Sequence, residues 1–145
     1  MILFVCSGNT CRSPMAAVLY AKLSGLEADS AGLYASAASP ASSGARNAVK
    51  NYGCTLEGHR SQLLTPGLVA KASAVYCMTS SQKSEAAALY PEHAAKIRAL
   101  NEKRDVRDPF GGNDAEYRSV AEQIYVSVVE IIKSDRLKTR GASRR

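Results

Sequence analysis

Short apolar runs alternate along this chain with stretches in which apolar residues recur every three or four positions. Ile2-Leu3-Phe4-Val5 is short, β-branched or aromatic, and stops at a turn signal, which predicts a buried strand. Beyond Ser13-Pro14 the apolar positions are Met15, Val18, Leu19 and Leu23, a helical spacing. Pro14 suits the first helical position and Ser13 the N-cap, and the helix should close near Ser24-Gly25. Residues 27–31 read as a second short strand, after which Gly32 opens an Ala- and Ser-rich loop over 33–43. A helix is expected over 44–52 with Gly53 as its C-terminal cap, and Thr65-Pro66 opens another short one. Val75-Tyr76-Cys77-Met78 marks a third strand within 72–78, a helix follows over 80–90, and 97–100 makes a fourth strand. Asn113-x-x-Glu116 has the form of a capping box. The helix it opens has the apolar face Tyr117, Val120, Ala121, Ile124, Val128 and Ile131. Strands alternating with helices predict a parallel sheet covered on both faces.

The 145 residues suffice for one domain with a substantial core, and no internal repeat is visible. Met1 leads straight into the first strand, and no apolar stretch approaches the roughly 20 residues that span a bilayer. Four cysteines without the density of a disulfide framework fit a reducing compartment. A soluble cytoplasmic protein with no membrane partner is therefore expected. The net charge of +6 invites a nucleic-acid reading, but its location opposes one. Lys133, Arg136, Lys138, Arg140, Arg144 and Arg145 stand against Asp135 alone, so the rest of the chain is close to neutral. The expected organisation is a domain over 1–138 and a basic, disordered tail over 139–145. No surface of interleaved aromatic and basic residues suited to stacking bases is visible, so no nucleic acid partner is expected. His59 and His93 are far apart and there is no Cys-x2-Cys pair, so neither a metal nor another cofactor is implied.

Candidate chemistry concentrates between Val5 and Pro14, where a strand, a tight loop and a helix start follow one another. Loop N–H groups and the positive end of a helix dipole then converge on one point. Gly8 and Asn9 tolerate left-handed backbone, so the loop can curl until its amides form a concave nest. Cys6 opens the loop and Arg12 closes it. A thiol beside a helix N-terminus and a guanidinium forms the thiolate readily, and the arginine fork can grip two phosphoryl oxygens. A bare Cys-x5-Arg match is more often a buried cysteine near a surface arginine. Here the preceding strand, Gly8-Asn9 and the Ser-Pro helix start all agree on phosphate. Hydrolysis through a phosphocysteine also needs a carboxyl that serves as acid and then as base. Asp105 and Asp108 flank a loop before the last helix, and only Asp108 is followed by Pro-Phe-Gly-Gly. On residues alone, Asp108 is equally well an ordinary turn aspartate.

Four segments in order resemble the low-molecular-weight protein tyrosine phosphatase family: Cys6 to Pro14, Asp29-Ser30-Ala31-Gly32, His59-Arg60-Ser61 and Asp108-Pro109. Within it the chain is most similar to the bacterial protein arginine phosphatases, through Thr10 and Asp108-Pro109-Phe110-Gly111-Gly112. The resemblance implies an α/β fold, a single-domain flavodoxin-like three-layer sandwich with a four-stranded parallel sheet in order 2-1-3-4. In such a sheet the loop after the first strand lies at the point of reversal, where ligands bind. The resemblance also implies Cys6 as nucleophile, Arg12 as clamp, Asp108 as acid and base, and a phosphate loop of Ser7, Gly8, Asn9, Thr10, Cys11, Arg12 and Ser13. Side chains of Asn9, Ser13, Ser30 and His59 are expected to hold that loop, with the Ser13 hydroxyl on the Cys6 sulfur. A reversible Cys6–Cys11 disulfide protecting against over-oxidation is likewise implied. Tyr34 and Phe110 are expected on loops at the mouth, where they wall the substrate or plug the core.

The expected function is a monomeric cysteine-dependent phosphatase that releases inorganic phosphate from phosphorylated proteins. Tyrosine-specific relatives typically carry a bulky aliphatic residue in the loop and aromatic residues after Asp-Pro. Thr10 and Phe110-Gly111-Gly112 instead make room for a guanidine and offer it an acceptor, which favours phosphoarginine over phosphotyrosine. An arsenate reductase on the same fold needs two further cysteines relaying a disulfide, and Cys54 and Cys77 stand 23 positions apart. A non-catalytic phosphate-binding module would have no need of Asp108.

Overall fold

The computed structural model describes residues 1–36 and 38–143. Strands β1 (Ile2–Cys6), β2 (Ala28–Gly32), β3 (Ala74–Cys77) and β4 (Ile97–Ala99) form one parallel sheet in the order β2-β1-β3-β4. Helices α1 (Arg12–Ser24), α2 (Ser43–Lys50), α3 (Pro66–Lys71), α4 (Ser80–Leu89) and α5 (Asp114–Ser143) cover it, with a 3-10 turn over Pro91–Lys96 before β4.

β1 is apolar throughout because both of its faces are covered. Its side chains alternate, so Phe4 and Cys6 join the core built with Met15 and Leu19 of α1 and Val120 and Ile124 of α5. Leu3 and Val5 join the other core, with Val69 of α3 and Ala86 of α4. Leu3, Phe4 and Val5 are wholly buried, each contributing about 1.5–3 kcal/mol by leaving water. The chain turns one way from β1 to β2 and the other way to β3. The loops after β1 and β3 therefore part at the C-terminal edge, and a crevice opens there.

Helix ends follow the polar residues beside them. Gly25 closes α1 at φ 72°, donating to Ala21 O. The Thr65 hydroxyl accepts from Leu68 N ahead of Pro66. Asn113 Oδ1 accepts from Glu116 N at 2.9 Å, while the Glu116 carboxylate faces Arg107 at 3.9 Å.

Some boundaries differ from those read in the sequence. The N-cap of α1 is Cys11, not Ser13, and it makes no side-chain cap bond. Ser13 lies inside the first turn because its hydroxyl has a partner across the loop, and Pro14 still falls where no N–H is needed. α2 ends at Lys50, so Gly53, at φ 72°, belongs to the turn beyond it. α5 runs on to Ser143, so residues 139–143, expected from the sequence as a disordered tail, are helical. The segment is polar and not rich in helix formers, but extending a helix already formed from Asp114 fixes one residue per added bond and needs no new nucleus. Arg144 and Arg145 lie outside the described residues. No helix among the described residues is long and apolar enough to cross a membrane.

Candidate active site

Residues 7–11 turn from the end of β1 into α1, and three of their carbonyls are held from outside. Ser7 O accepts from Tyr34 N at 2.9 Å, Asn9 O from His59 Nε2 at 2.7 Å, and Thr10 O from Ser42 N at 2.9 Å. A trans peptide points its N–H opposite its C=O, so the Gly8, Thr10 and Cys11 amides turn the other way. Those residues, with Cys6, Asn9, Arg12, Asp108 and Phe110, line a cavity of about 180 Å³. The uncapped first turn of α1 adds donors and the positive end of its dipole. The arrangement is an anion cradle.

Cys6 Sγ accepts from Asn9 N–H at 3.3 Å and lies 2.9 Å from Ser13 Oγ. Ser13 Oγ itself accepts from Asn9 Nδ2 at 2.9 Å, so its own proton can point at the sulfur. The Asn9 N–H thus meets the sulfur, and the Ser13 hydroxyl, which also lies 3.5 Å from Ala31 O, is placed to serve as a second donor. Asn9 is fully buried at φ 57°, a left-handed backbone that asparagine tolerates. All four of its polar groups are used, Oδ1 accepting from Gln62 N at 2.9 Å.

Arg12, 6% exposed, donates from Nη1 to Val106 O at 2.9 Å. Its Nη2 lies 3.8 Å from Asp108 Oδ2. The Asp108 side chain is half exposed, and its Oδ1 accepts from Phe110 N at 3.0 Å, which anchors the carboxylate at the mouth. Gly32, last residue of the Asp-Ser-Ala-Gly motif, has a steric reason. A Cβ there would meet Ser7 O at 2.6 Å and Asn9 N at 3.0 Å.

Of the expected residues, Cys6, Gly8, Asn9, Thr10, Cys11, Arg12, Asp108 and Phe110 come together around the cavity. Ser7 and Ser13 stand behind it, and His59 holds the loop from outside. Ser30 enters through its carbonyl, which accepts from Gln62 Nε2, rather than through its hydroxyl. Phe110 is 75% exposed at the rim, and Tyr34, 66% exposed, does not line the cavity, so neither plugs the core.

Four supporting residues escaped the sequence reading: Gln62, Gln82, Ser42 and Tyr117. Gln82 had a signal, as the third residue after Thr79 in a capping box, and so did Ser42, as the N-cap of α2. Cys11 Sγ lies 3.2 Å from Ser42 Oγ and 3.5 Å from Tyr117 Oη. Burial pushes the Tyr117 phenol up to about 12, and the contact with Cys11 acts the same way. Cys77 is pushed up to about 12 by burial first and by Cys6 next. All four cysteines are free. Among the described residues no group of three or more His, Cys, Asp or Glu side chains could hold a metal ion.

A cradle at the switch point of a β2-β1-β3-β4 sheet, opened by a cysteine and closed by a buried arginine, defines an α/β protein built to handle phosphate. The chain belongs to the low molecular weight phosphotyrosine protein phosphatase family, whose sequence profile matches residues 1–140. It is 39% identical over 130 residues to the protein-arginine-phosphatase of Geobacillus stearothermophilus, covering 85% of this chain and 87% of that protein. The YwlE arginine phosphatase, as a Cys-to-Ser mutant with a phosphorylated active site serine, aligns with a TM-score of 0.86. Its identity is 34%, over 92% of this chain and 93% of that one. The low molecular weight protein tyrosine phosphatase from T. tengcongensis aligns with a TM-score of 0.87 at 37% identity, over 92% and 97%.

Proposed function

We propose that this chain is a cysteine-dependent protein phosphatase that hydrolyses phosphoarginine through a phosphocysteine intermediate. The observation that carries the chemistry is Cys6, met by the Asn9 N–H and within 2.9 Å of the Ser13 hydroxyl, in an amide-lined cavity that also holds Arg12 and Asp108. In this reading the Gly8, Thr10 and Cys11 amides and the Arg12 guanidinium bind the non-bridging phosphoryl oxygens and stabilise the charge that spreads over them. The Cys6 sulfur attacks phosphorus in line, the bond from phosphorus to the leaving atom breaks, and Asp108 gives that atom its proton. Asp108 then takes a proton from water as the water attacks the phosphocysteine. Inorganic phosphate leaves, and Cys6 and Asp108 return to their starting states.

The choice of phosphoarginine is supported by Thr10, which lines the cavity with a small hydroxyl that a guanidine N–H can use. The arginine phosphatase relatives point the same way. A second reading, phosphotyrosine, is favoured by the exposed Phe110 ring at the rim and by the T. tengcongensis relative. In either case the enzyme acts as a monomer in the reducing cytoplasm, where free cysteines persist.

The test is acid quenching during turnover, followed by mass spectrometry of the Cys6 peptide. A phosphate adduct on Cys6, absent together with turnover in Cys6→Ser, is expected. Turnover by Cys6→Ser at the wild-type rate would show that water, not sulfur, attacks phosphorus.

A further inference from the structure

We propose that Gln82 is a positioning residue of this reaction, acting on the cradle through the Ser7 hydroxyl; the proposal rests on the phosphatase reading above. Gln82 is 6% exposed in the first turn of α4. Its Oε1 accepts from Met78 N and Thr79 N, both at 3.0 Å, and the Thr79 hydroxyl accepts from Gln82 N at 3.1 Å. That is a complete capping box, and it uses only the side-chain oxygen.

The amide nitrogen has a separate partner. Gln82 Nε2 donates to Ser7 Oγ at 3.1 Å, across 75 positions of sequence. A glutamate would cap α4 equally well but would have no proton to give Ser7. Ser7 follows Cys6, and its carbonyl is held by Tyr34 N. With carbonyl and hydroxyl both tied, to two different parts of the chain, the Ser7–Gly8 peptide keeps one orientation. The Gly8 N–H then stays turned away from Tyr34, at a residue that lines the cavity. The bond also ties the loop after β1 to the first turn of α4, the helix that follows β3, across the switch point. Small displacements of such groups weigh heavily on rate, since a misplacement of about 1 Å can cost about 10²-fold.

A double-mutant cycle tests this. Wild type, Ser7→Ala, Gln82→Ala and the double variant are compared in kcat/KM on an aryl phosphate and in Kd for inorganic phosphate by calorimetry. Thr79→Ala is the control, because it weakens the same cap and leaves the Ser7 bond in place. Each single variant of the pair should lose roughly three- to tenfold in both quantities, the scale of one hydrogen bond, and the double variant should lose no more. Thr79→Ala should lower the melting temperature and keep wild-type kcat/KM. Losses that multiply in the double variant, or an equal activity loss in Thr79→Ala, would overturn the proposal and leave Gln82 as a cap. A wild type that turns nothing over would refute the phosphatase reading instead, while the cycle in phosphate Kd still decides on Gln82.

Discussion

Replacing Asn9 by alanine removes two side-chain hydrogen bonds beside the cavity and leaves a left-handed backbone behind. The side chain is fully buried, and it both accepts from Gln62 N and donates to Ser13 Oγ. Each partner left without its bond costs about 1–3 kcal/mol, depending on how far water can reach it. The backbone at φ 57° adds a further ~1–2 kcal/mol for a residue that cannot ease left-handed geometry with a local side-chain bond. Asn9→Ala should therefore lose about 3–8 kcal/mol, a large part of the ~5–15 kcal/mol typical of a domain. Asn9→Gly loses the same two bonds without the backbone cost, so it should be the more stable of the two by about 1 kcal/mol. Urea unfolding with linear extrapolation measures both values. Turnover of an aryl phosphate, measured where each variant is folded, should fall in both, because Ser13 is no longer held against the Cys6 sulfur. Alanine within 1 kcal/mol of wild type, or glycine less stable than alanine, would refute this account of how the loop is held.

Asp108→Asn should slow substrates with poor leaving groups by about 10²–10⁴-fold and activated aryl esters far less, and a uniform loss would make Asp108 structural. Thr10→Ile, which removes a hydroxyl and adds bulk in the cavity, should move the ratio of kcat/KM values from phosphoarginine towards phosphotyrosine peptides by about 1–3 kcal/mol; an unmoved ratio would exonerate Thr10. Mild peroxide should inactivate the enzyme reversibly, and Cys11→Ser should recover incompletely with thiol reductant; equal recovery would remove a protective role from Cys11. Native Cys77 holds its proton up to about 12 whereas the unfolded thiol releases it near the ordinary 9.0, so the native state binds more protons between those values. Stability that is full below pH 9 should then fall as pH rises toward 12, and by less in Cys77→Ala; a flat urea midpoint across that range would contradict the burial assigned to Cys77.

What the sequence made legible follows from the range of the interactions concerned. β1 is readable because burial on both faces demands an unbroken apolar run, and Thr65-Pro66 because a cap and its helix are adjacent. The apolar face of α5 is readable by its spacing, since Tyr117, Val120, Ala121, Ile124, Val128 and Ile131 are all buried. Sheet order came from the family resemblance, because crossovers leave no periodic trace. Ser13-Pro14 carries the same signal whether serine caps a helix or faces a sulfur, and the bonds to Cys6 and Asn9 decided in favour of the sulfur. Gln62 serves Asn9 across 53 positions with no local pattern to mark it. Tyr117 was legible only as a core residue, since its second role depends on Cys11 arriving from the far end of the chain.

The central claim is that this cradle hydrolyses phosphoarginine in proteins. The most direct test is kcat/KM of the wild-type enzyme on peptides of matched sequence that carry either phosphoarginine or phosphotyrosine. The phosphoarginine peptide should be the better substrate, and Cys6→Ser should turn over neither. An equal or better value for phosphotyrosine would contradict the arginine assignment, and no turnover of either peptide would contradict the phosphatase itself.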